Sequence, residues 1–434
     1  MALHADTIFA LSSGRGRAGV AVVRVSGPAA GGALQTLAGP ELPSPRLATL
    51  HKISRANGGE IDNGLVLWFP EPASFTGEDV VEFHVHGGRA VVDALLTALG
   101  EMPGSRPAEP GEFTRRAVEN GKFDLTQAEA LADLINAETE AQRRQALRQH
   151  DGALADLYEG WRARLIRAAA WAETAIDFSD EDVPADALLQ AQAQAAGILD
   201  EICKHLNDAR RGEIMREGFR LTVIGPPNSG KSSLVNALAR RDVAIVSELA
   251  GTTRDVLEVH LDLGGYPVIV ADTAGLRESP DRIEAEGVRR ALARAEEGDA
   301  VLLLLDATAP ERSLPDLPNA PTLIVWNKTD AAPAPAAALA ISVLVGLGMD
   351  QLLQQVGNIV RSRLDLGAPT LTRARHRHAL EAAVEALKRG KSSAAPELVA
   401  EELRVAMHQL GRITGRVDVE ELLDVVFRDF CIGK

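Results

Sequence analysis

The sequence predicts a multidomain chain of the α+β and α/β classes, in which a doubly wound α/β domain is inserted into a helical one. Three observations carry this. Residues 6–117 alternate apolar and polar side chains at strand spacing, between Gly, Ser and Pro. Residues 125–215, and again 373–430, repeat Ala, Leu, Glu, Gln and Arg at helical spacing with few glycines. Between these two stretches, short apolar runs alternate with helical ones, as a mostly parallel sheet requires.

At 434 residues the chain is too long for one ordinary core. The expected boundaries are 1–120 for the N-terminal domain, 121–216 for the first helical part, 217–365 for the inserted domain and 366–434 for the second helical part. In the first, 19–25 and 80–86 read as strands, and 89–99 as a helix behind the second of them. In the helical stretch, Pro184 separates two long helices. The inserted domain has apolar strands at 221–224, 268–271, 301–305 and 322–326. Its Ala/Pro-rich segment 331–340 reads as a surface linker.

The net charge of -15 leaves no global electrostatic drive onto nucleic acid. Any RNA partner must be met by a local basic patch or a second protein. Two cysteines, Cys203 and Cys431, permit at most one bridge, which fits a reducing cytoplasm. The first residues lack a basic segment followed by an apolar run, so no secretory signal is expected. The run Ala300-Val-Leu-Leu-Leu-Leu305 is strand length, so no membrane span is expected.

Gly225-Pro-Pro-Asn-Ser-Gly-Lys231-Ser232 matches G-x-x-x-x-G-K-[ST] in full, after a strand and before a helix. The glycines let backbone N–H groups face phosphates, and the helix N-terminus adds a favourable field. Residues Gly225, Asn228, Ser229, Gly230, Lys231, Ser232 and Ser233 form the expected cradle, with Lys231 on the β- and γ-phosphates and Ser232 on Mg²⁺. Asp272-Thr273-Ala274-Gly275 follows an apolar strand, where a carboxylate reaches Mg²⁺ through water and the Gly275 N–H meets the γ-phosphate. Asn327-Lys328-Thr-Asp330 ends another strand. An Asp carboxylate there accepts from both N1–H and N2–H₂ of guanine, which selects GTP over ATP. Ser342-Val343 reads as the weaker base-contacting loop. Gly251-Thr-Thr-Arg-Asp255 offers a hydroxyl, Thr253, to complete the Mg²⁺ shell. Leu276 stands where many small GTPases carry a water-orienting Gln, so another group must orient the water. The carboxylates Glu278, Asp281, Glu284 and Glu286 lie close downstream, and position alone does not choose among them.

The chain resembles the MnmE (TrmE) family of tRNA-modification GTPases. The likeness runs from Asp6-Thr-Ile8 to Phe430-Cys-Ile-Gly-Lys434. It takes in Ser74-Phe-Thr-Gly-Glu-Asp79, His86-Gly-Gly88, Pro110-Gly-Glu-Phe-Thr114, Leu125-Thr-Gln-Ala-Glu-Ala130 and Gly411-Arg-Ile-Thr-Gly415. The resemblance implies an N-terminal tetrahydrofolate-binding domain, a discontinuous helical domain and an inserted Ras-like P-loop GTPase domain. It implies a homodimer formed through the N-terminal domains, and a heterotetramer with the flavoprotein MnmG (GidA). The pair would add an aminomethyl-type (carboxymethylaminomethyl) group to C5 of the wobble uridine, U34, of certain tRNAs. The one-carbon donor would be 5-formyl- or 5,10-methylene-tetrahydrofolate.

By the same resemblance K⁺ activates hydrolysis, with ligands from Asn228, Ser247, Leu249 and Thr252. Neutral oxygens suit a hard monovalent cation, and Leu249 would serve through its backbone. Glu284 matches the family's water-orienting carboxylate. Arg24, Glu82 and Lys122 match folate contacts, and Lys434 reaches the same pocket. Cys431 is assigned to the tRNA chemistry. The stretch 298–327 and the linker after Asp330 are short for the family.

Blander readings stand beside these. His84 and His86 lie two apart on a strand, but without a third ligand they read as structural. Arg373-Ala-Arg-His-Arg-His378 reads as a tRNA contact or as a solvated helix start. The alternative function is a ribosome-assembly GTPase switch of the Era or Der type that docks on rRNA. Such proteins carry a second G domain or a basic RNA module, and this acidic chain has one set of G motifs.

Overall fold

The computed structural model describes residues 5–177, 186–245, 258–272, 298–309, 320–364 and 370–417, with 423, 426, 427, 430 and 433. Contacts divide the chain into two compact units. One comprises Met1–Ala132, His150–Ala163 and Met407–Lys434, the other Asp133–Gln149 and Arg164–Ala406.

The first unit is built on a sheet of β1 (Thr7–Leu11), β2 (Ala18–Ser26), β3 (Thr49–Ser54), β4 (Glu60–Phe69), β5 (Val80–Gly87) and β6 (Ser105–Pro107), in the order β3-β4-β5-β2-β1-β6. Its pairs are antiparallel except β1 with β6. Alternation along β2 and β5 sends Val23, Val25, Val81 and Phe83 to one face. There they pack with Ala33, Leu34, Leu95 and Leu99 of helices α1 (Ala30–Ala38) and α2 (Arg89–Gly100). On the opposite face, Ile8 and Ala10 of β1 pack with Phe113 of α3 (Glu112–Glu119), and Phe75 lies against them. Leu125 and Ala128 of α4 (Leu125–Ile135) share a small core with Leu423 and Phe427.

Four more helices follow: α5 (Glu140–His150), α6 (Ala153–Asp177), α7 (Ala187–Leu206) and α8 (Arg211–Glu217). In α6 the buried residues Leu154, Tyr158, Trp161, Leu165, Ala168 and Ala172 recur at alternating spacings of four and three, the stripe of an amphipathic helix. The long helices α6 and α7 flank Pro184, which lies outside the described residues. The two long helices expected on either side of Pro184 are thus present, and among the described residues the shorter α4, α5 and α8 accompany them.

The second unit contains a sheet of β7 (Phe219–Ile224), β8 (Glu258–Asp262), β9 (Pro267–Asp272), β10 (Ala300–Asp306), β11 (Thr322–Asn327) and β12 (Leu339–Ala340), in the order β12-β11-β10-β7-β9-β8. All pairs are parallel except β8 with β9. One face packs on α9 (Lys231–Ala239) and α10 (Met349–Leu364) through Leu234, Leu238, Leu352 and Val356. Ile224, Val301, Leu303 and Leu305 fill the other. Strand β10 is apolar from Ala300 to Leu305, where both its faces are covered, and closes on Asp306. Two strands were not foreseen. β8 pairs back through a Gly264-Gly265 turn with φ of 66° and 90°, a hairpin only such residues take easily. β12 forms from the end of the supposed linker, where Leu339 is buried beside β11. Helices α11 (Ala374–Ser392) and α12 (Pro396–Thr414) complete the described elements.

Candidate functional site

Strand β7 lies at the centre of its sheet, with β10 on one side and β9 on the other. This is the switch point of a doubly wound sheet, where a crevice opens beyond the strand ends. The loop 225–230 leaves β7 there and runs into α9. Gly225 has a φ of 154°, and a side chain on it would meet the Leu304 carbonyl at 2.1 Å. Gly230 has a φ of 99°, and a side chain on it would meet the Asn327 amide at 2.4 Å. Only glycine fits either place. The loop therefore lies against the ends of β10 and β11.

Lys231 opens α9, and its Nζ donates to the carbonyls of Gly225 at 2.9 Å and Pro226 at 3.1 Å. The cation is thus held against its own loop. Asn228 is exposed at the tip in a left-handed conformation, φ 66°. Ser229 is buried, and its hydroxyl has no partner among the described residues. Ser232 and Ser233 are exposed in the first turn of α9. This donor set, a held ammonium, loop amides and a hydroxyl at a helix start, fits a polyphosphate with Mg²⁺. The backbone of Asp272 ends β9 opposite Val223, two residues before the loop begins.

The Asn327–Asp330 segment is tied to the loop. Asn327, at the end of β11, donates its amide to the Ser229 carbonyl at 2.8 Å and accepts from Val343 N at 3.1 Å. Asp330 is exposed, and its Oδ1 accepts from the buried Ser342 hydroxyl at 2.6 Å. Lys328 takes a φ of 63° and pairs with Asp306 at 2.6 Å. Burial pushes the Asp306 carboxyl up, but hydrogen bonds from Lys328 and Thr308 outweigh it and hold the group below its ordinary range. Thus Asn327, Lys328, Asp330, Ser342 and Val343 converge on one edge beside loop 225–230. The expected residues Ser247, Leu249, Thr252, Thr253, Thr273, Ala274, Gly275 and Glu284, and the side chain of Asp272, lie outside what the structure describes.

A second grouping forms on the N-terminal sheet. Arg24 and Glu82 are opposite each other in the β2–β5 register, and the guanidinium donates from Nε at 3.0 Å and from an Nη at 2.8 Å to one carboxylate oxygen. The other oxygen faces His84 Nε2 at 3.3 Å. The guanidinium lies 4.9 Å from the Phe75 ring and 5.7 Å from that of Phe113. Lys122 donates to the Pro72 carbonyl at 2.9 Å. Segment 72–77 thus connects Lys122 with Arg24. The carboxylate meets the guanidinium first, so a ligand must compete with or add to this pair. The chain's end comes to the same sheet: Ser12 Oγ donates to the Gly433 carbonyl at 2.8 Å. Gly433 abuts Leu11, whose neighbour Ala10 pairs with Arg24. Cys431 and Lys434 lie outside the described residues.

Sequence reasoning missed a buried ion network under this sheet. Arg116, 1% exposed, donates to Asp6 and Glu112 at 2.9 and 3.1 Å and to Glu78 at 3.2 Å. Glu78 and Glu112 belong to the quoted motifs Ser74–Asp79 and Pro110–Thr114, and only the pairing of a fully buried arginine reveals why carboxylates stand there. The two histidines are accounted for by carboxylates, His84 by Glu82 and His86 by Asp62 at 2.9 Å. Among the described residues no group of three His, Cys, Asp or Glu could hold a metal ion. The basic cluster is neither a solvated helix start nor an open patch throughout. Arg373 binds Asp133 at 2.5 Å, Arg377 binds Asp208 at 2.8 Å and Glu213 at 2.9 Å, and His376 is buried.

The sequence matches the family described as GTP-binding protein TrmE N-terminus over residues 7–122, and that described as MnmE helical domain over 125–431. It is 54% identical over 440 residues to the tRNA modification GTPase MnmE of Paramagnetospirillum magneticum, covering 99% of this chain and 100% of that one. It is 54% identical over 440 residues to the namesake of Parvibaculum lavamentivorans, with the same coverage. With that of Rhodospirillum rubrum the identity is 53% over 453 residues and 99% of both chains. Full-length likeness of this degree, on a chain in which loop 225–230 and the Asn327–Asp330 segment meet as described, means that the chain belongs to the MnmE (TrmE) family of tRNA modification GTPases.

Proposed function

We propose that the chain is a K⁺-activated GTP hydrolase that works with the flavoprotein MnmG on the wobble uridine of certain tRNAs, adding a carboxymethylaminomethyl-type group at C5. The observation that carries the GTPase reading is the Asn327–Ser229 bond, which brings base-reading and phosphate-holding segments to one crevice. In this reading Lys231 and the loop amides hold the phosphates, and Ser232, Thr253 and Asp272 hold Mg²⁺. Asp330 reads the base, and Glu284 orients the attacking water. K⁺ would lie among Asn228, Ser247, Leu249 and Thr252 and supply the positive charge that an arginine finger gives elsewhere.

The folate reading is supported by the Arg24–Glu82 pair, half-sheltered beside two aromatic rings. A pterin's N–H edge suits the carboxylate, and a glutamate tail suits Arg24, Lys122 or Lys434. The homodimer is supported by an uncovered apolar patch on the N-terminal sheet: Leu50 and Leu65 stand opposite each other, 70% and 42% exposed. No described helix is long and apolar enough to cross a membrane. A cytoplasmic location is proposed because tRNA is found there. The domain division 1–120, 121–216, 217–365 and 366–434 belongs to this proposal.

The test is nucleoside analysis of tRNA from a deletion strain. Loss of the modified wobble uridine, restored by the wild-type chain and not by Cys431→Ser, is expected. Intact wobble nucleosides with defective rRNA assembly would replace this reading with the ribosome-assembly switch.

A further inference from the structure

Asp306 closes β10 with its carboxylate divided between two duties. Oδ1 accepts from the Thr308 amide at 2.9 Å and the Thr308 hydroxyl at 2.6 Å, and Oδ2 accepts from Lys328 Nζ at 2.6 Å. The pair is built into the sheet, because Asp306 lies directly opposite Asn327 in the β10–β11 register. The Asp306 side chain is 13% exposed and that of Lys328 38%. Lys328 itself turns through a φ of 63°, which sets its stem apart from the run of β11. Two residues on stands Asp330, exposed, with Oδ1 taken by Ser342.

We propose that Asp306 is a positioning residue that determines base specificity by keeping the Lys328 ammonium away from Asp330. A lysine two residues from an exposed carboxylate, on a flexible four-carbon stem, pairs with it unless a better partner holds it. Asp306 is that partner: less exposed than Lys328, fixed by two Thr308 donors, and supplied by the adjacent strand. With Lys328 held, Asp330 keeps its accepting capacity for the two-donor edge of a purine. With Lys328 released, a charge-assisted bond saturates that carboxylate, and the second donor of guanine adds less. Asp306 touches no nucleotide atom and acts only through Lys328. The inference rests on reading Asp330 as the group that meets guanine.

The experiment compares GTP with ITP, whose base lacks the exocyclic amine, by steady-state hydrolysis and by equilibrium binding to the full chain. Asp306→Asn is expected to raise KM for GTP several-fold and KM for ITP little, with kcat held for both. Asp306→Glu should restore the GTP-to-ITP ratio. Lys328→Gln placed in the Asp306→Asn background should also restore it, because the rival cation is then gone. A purely structural role would weaken both nucleotides alike and would not be rescued by the second substitution, and either result overturns the proposal. If Asp306→Asn fails to fold, Asp306→Ser, judged by melting and by the same ratio, carries the test. A wild-type chain without preference for GTP over ATP would remove the guanine reading itself. Intact GTP preference with an unchanged ratio in Asp306→Asn removes this inference alone.

Discussion

The side-chain amide of Asn327 is bonded to the backbone carbonyl of Ser229 across 98 residues of sequence. The bond ties the end of β11 to the loop after β7, the two segments that the proposed function assigns to base and phosphate.

Asn327→Ala leaves the Ser229 carbonyl buried and unbonded, and also releases the Val343 amide. An orphaned buried group costs about 1–3 kcal/mol. GDP affinity should fall by about 5- to 150-fold on that scale. Titration with a fluorescent guanine nucleotide reads it directly, and unchanged affinity would show the tether to be incidental.

Asp330→Asn should turn preference from guanine toward xanthine, whose C2 carbonyl accepts where guanine donates. Competition between GTP and XTP measures the change. If GTP stays preferred and XTP gains nothing, Asp330 does not read the base.

Hydrolysis should be fast in K⁺ and slow in Na⁺ at equal ionic strength. The motive is Asn228, exposed at the loop tip with a φ of 66°, together with Leu276 where many small GTPases carry a Gln. Equal rates in the two salts would remove the K⁺ assignment.

His205, at the end of α7, gives a pH prediction. Burial pushes its imidazole down to about 4; Asp208 pulls it up, and Arg377 pushes it further down. Above the unfolded value of 6.5 both states are neutral and stability is full. As the pH falls toward 4 the unfolded chain takes the proton first, and up to about 3 kcal/mol is lost. Melting of the wild type should therefore drop more than that of His205→Gln between about pH 7 and pH 4.5. Parallel curves would mean that His205 does not contribute.

What the sequence disclosed depended on whether the signal was local. Gly225 to Ser232 declares a strand, a turn and a helix within a few residues, and the structure has them. The strands at 221–224, 268–271, 301–305 and 322–326 were legible because both their faces are apolar. β8 was not, since Glu258, His260 and Asp262 break the apolar run and its place depends on pairing with β9. The Arg116 network was hidden for a related reason. Asp6, Glu78, Glu112 and Arg116 meet only after the sheet forms, and each alone reads as a surface charge. Likewise the cluster 373–378 looked solvated because Asp133, Asp208 and Glu213 are far away in sequence.

The Ser12–Gly433 bond spans 421 positions, and the unit it closes takes its residues from before and after the nucleotide-binding sheet in the sequence. On the ribosome, residues 219–364 have emerged and can pack while the N-terminal sheet still waits for its last neighbours. Interrupted translation would then release a chain able to hold nucleotide before the first unit is finished. The order of synthesis thus places the arrival of Gly433 beside Leu11, next to the strand pair that carries Arg24, after the nucleotide-binding sheet.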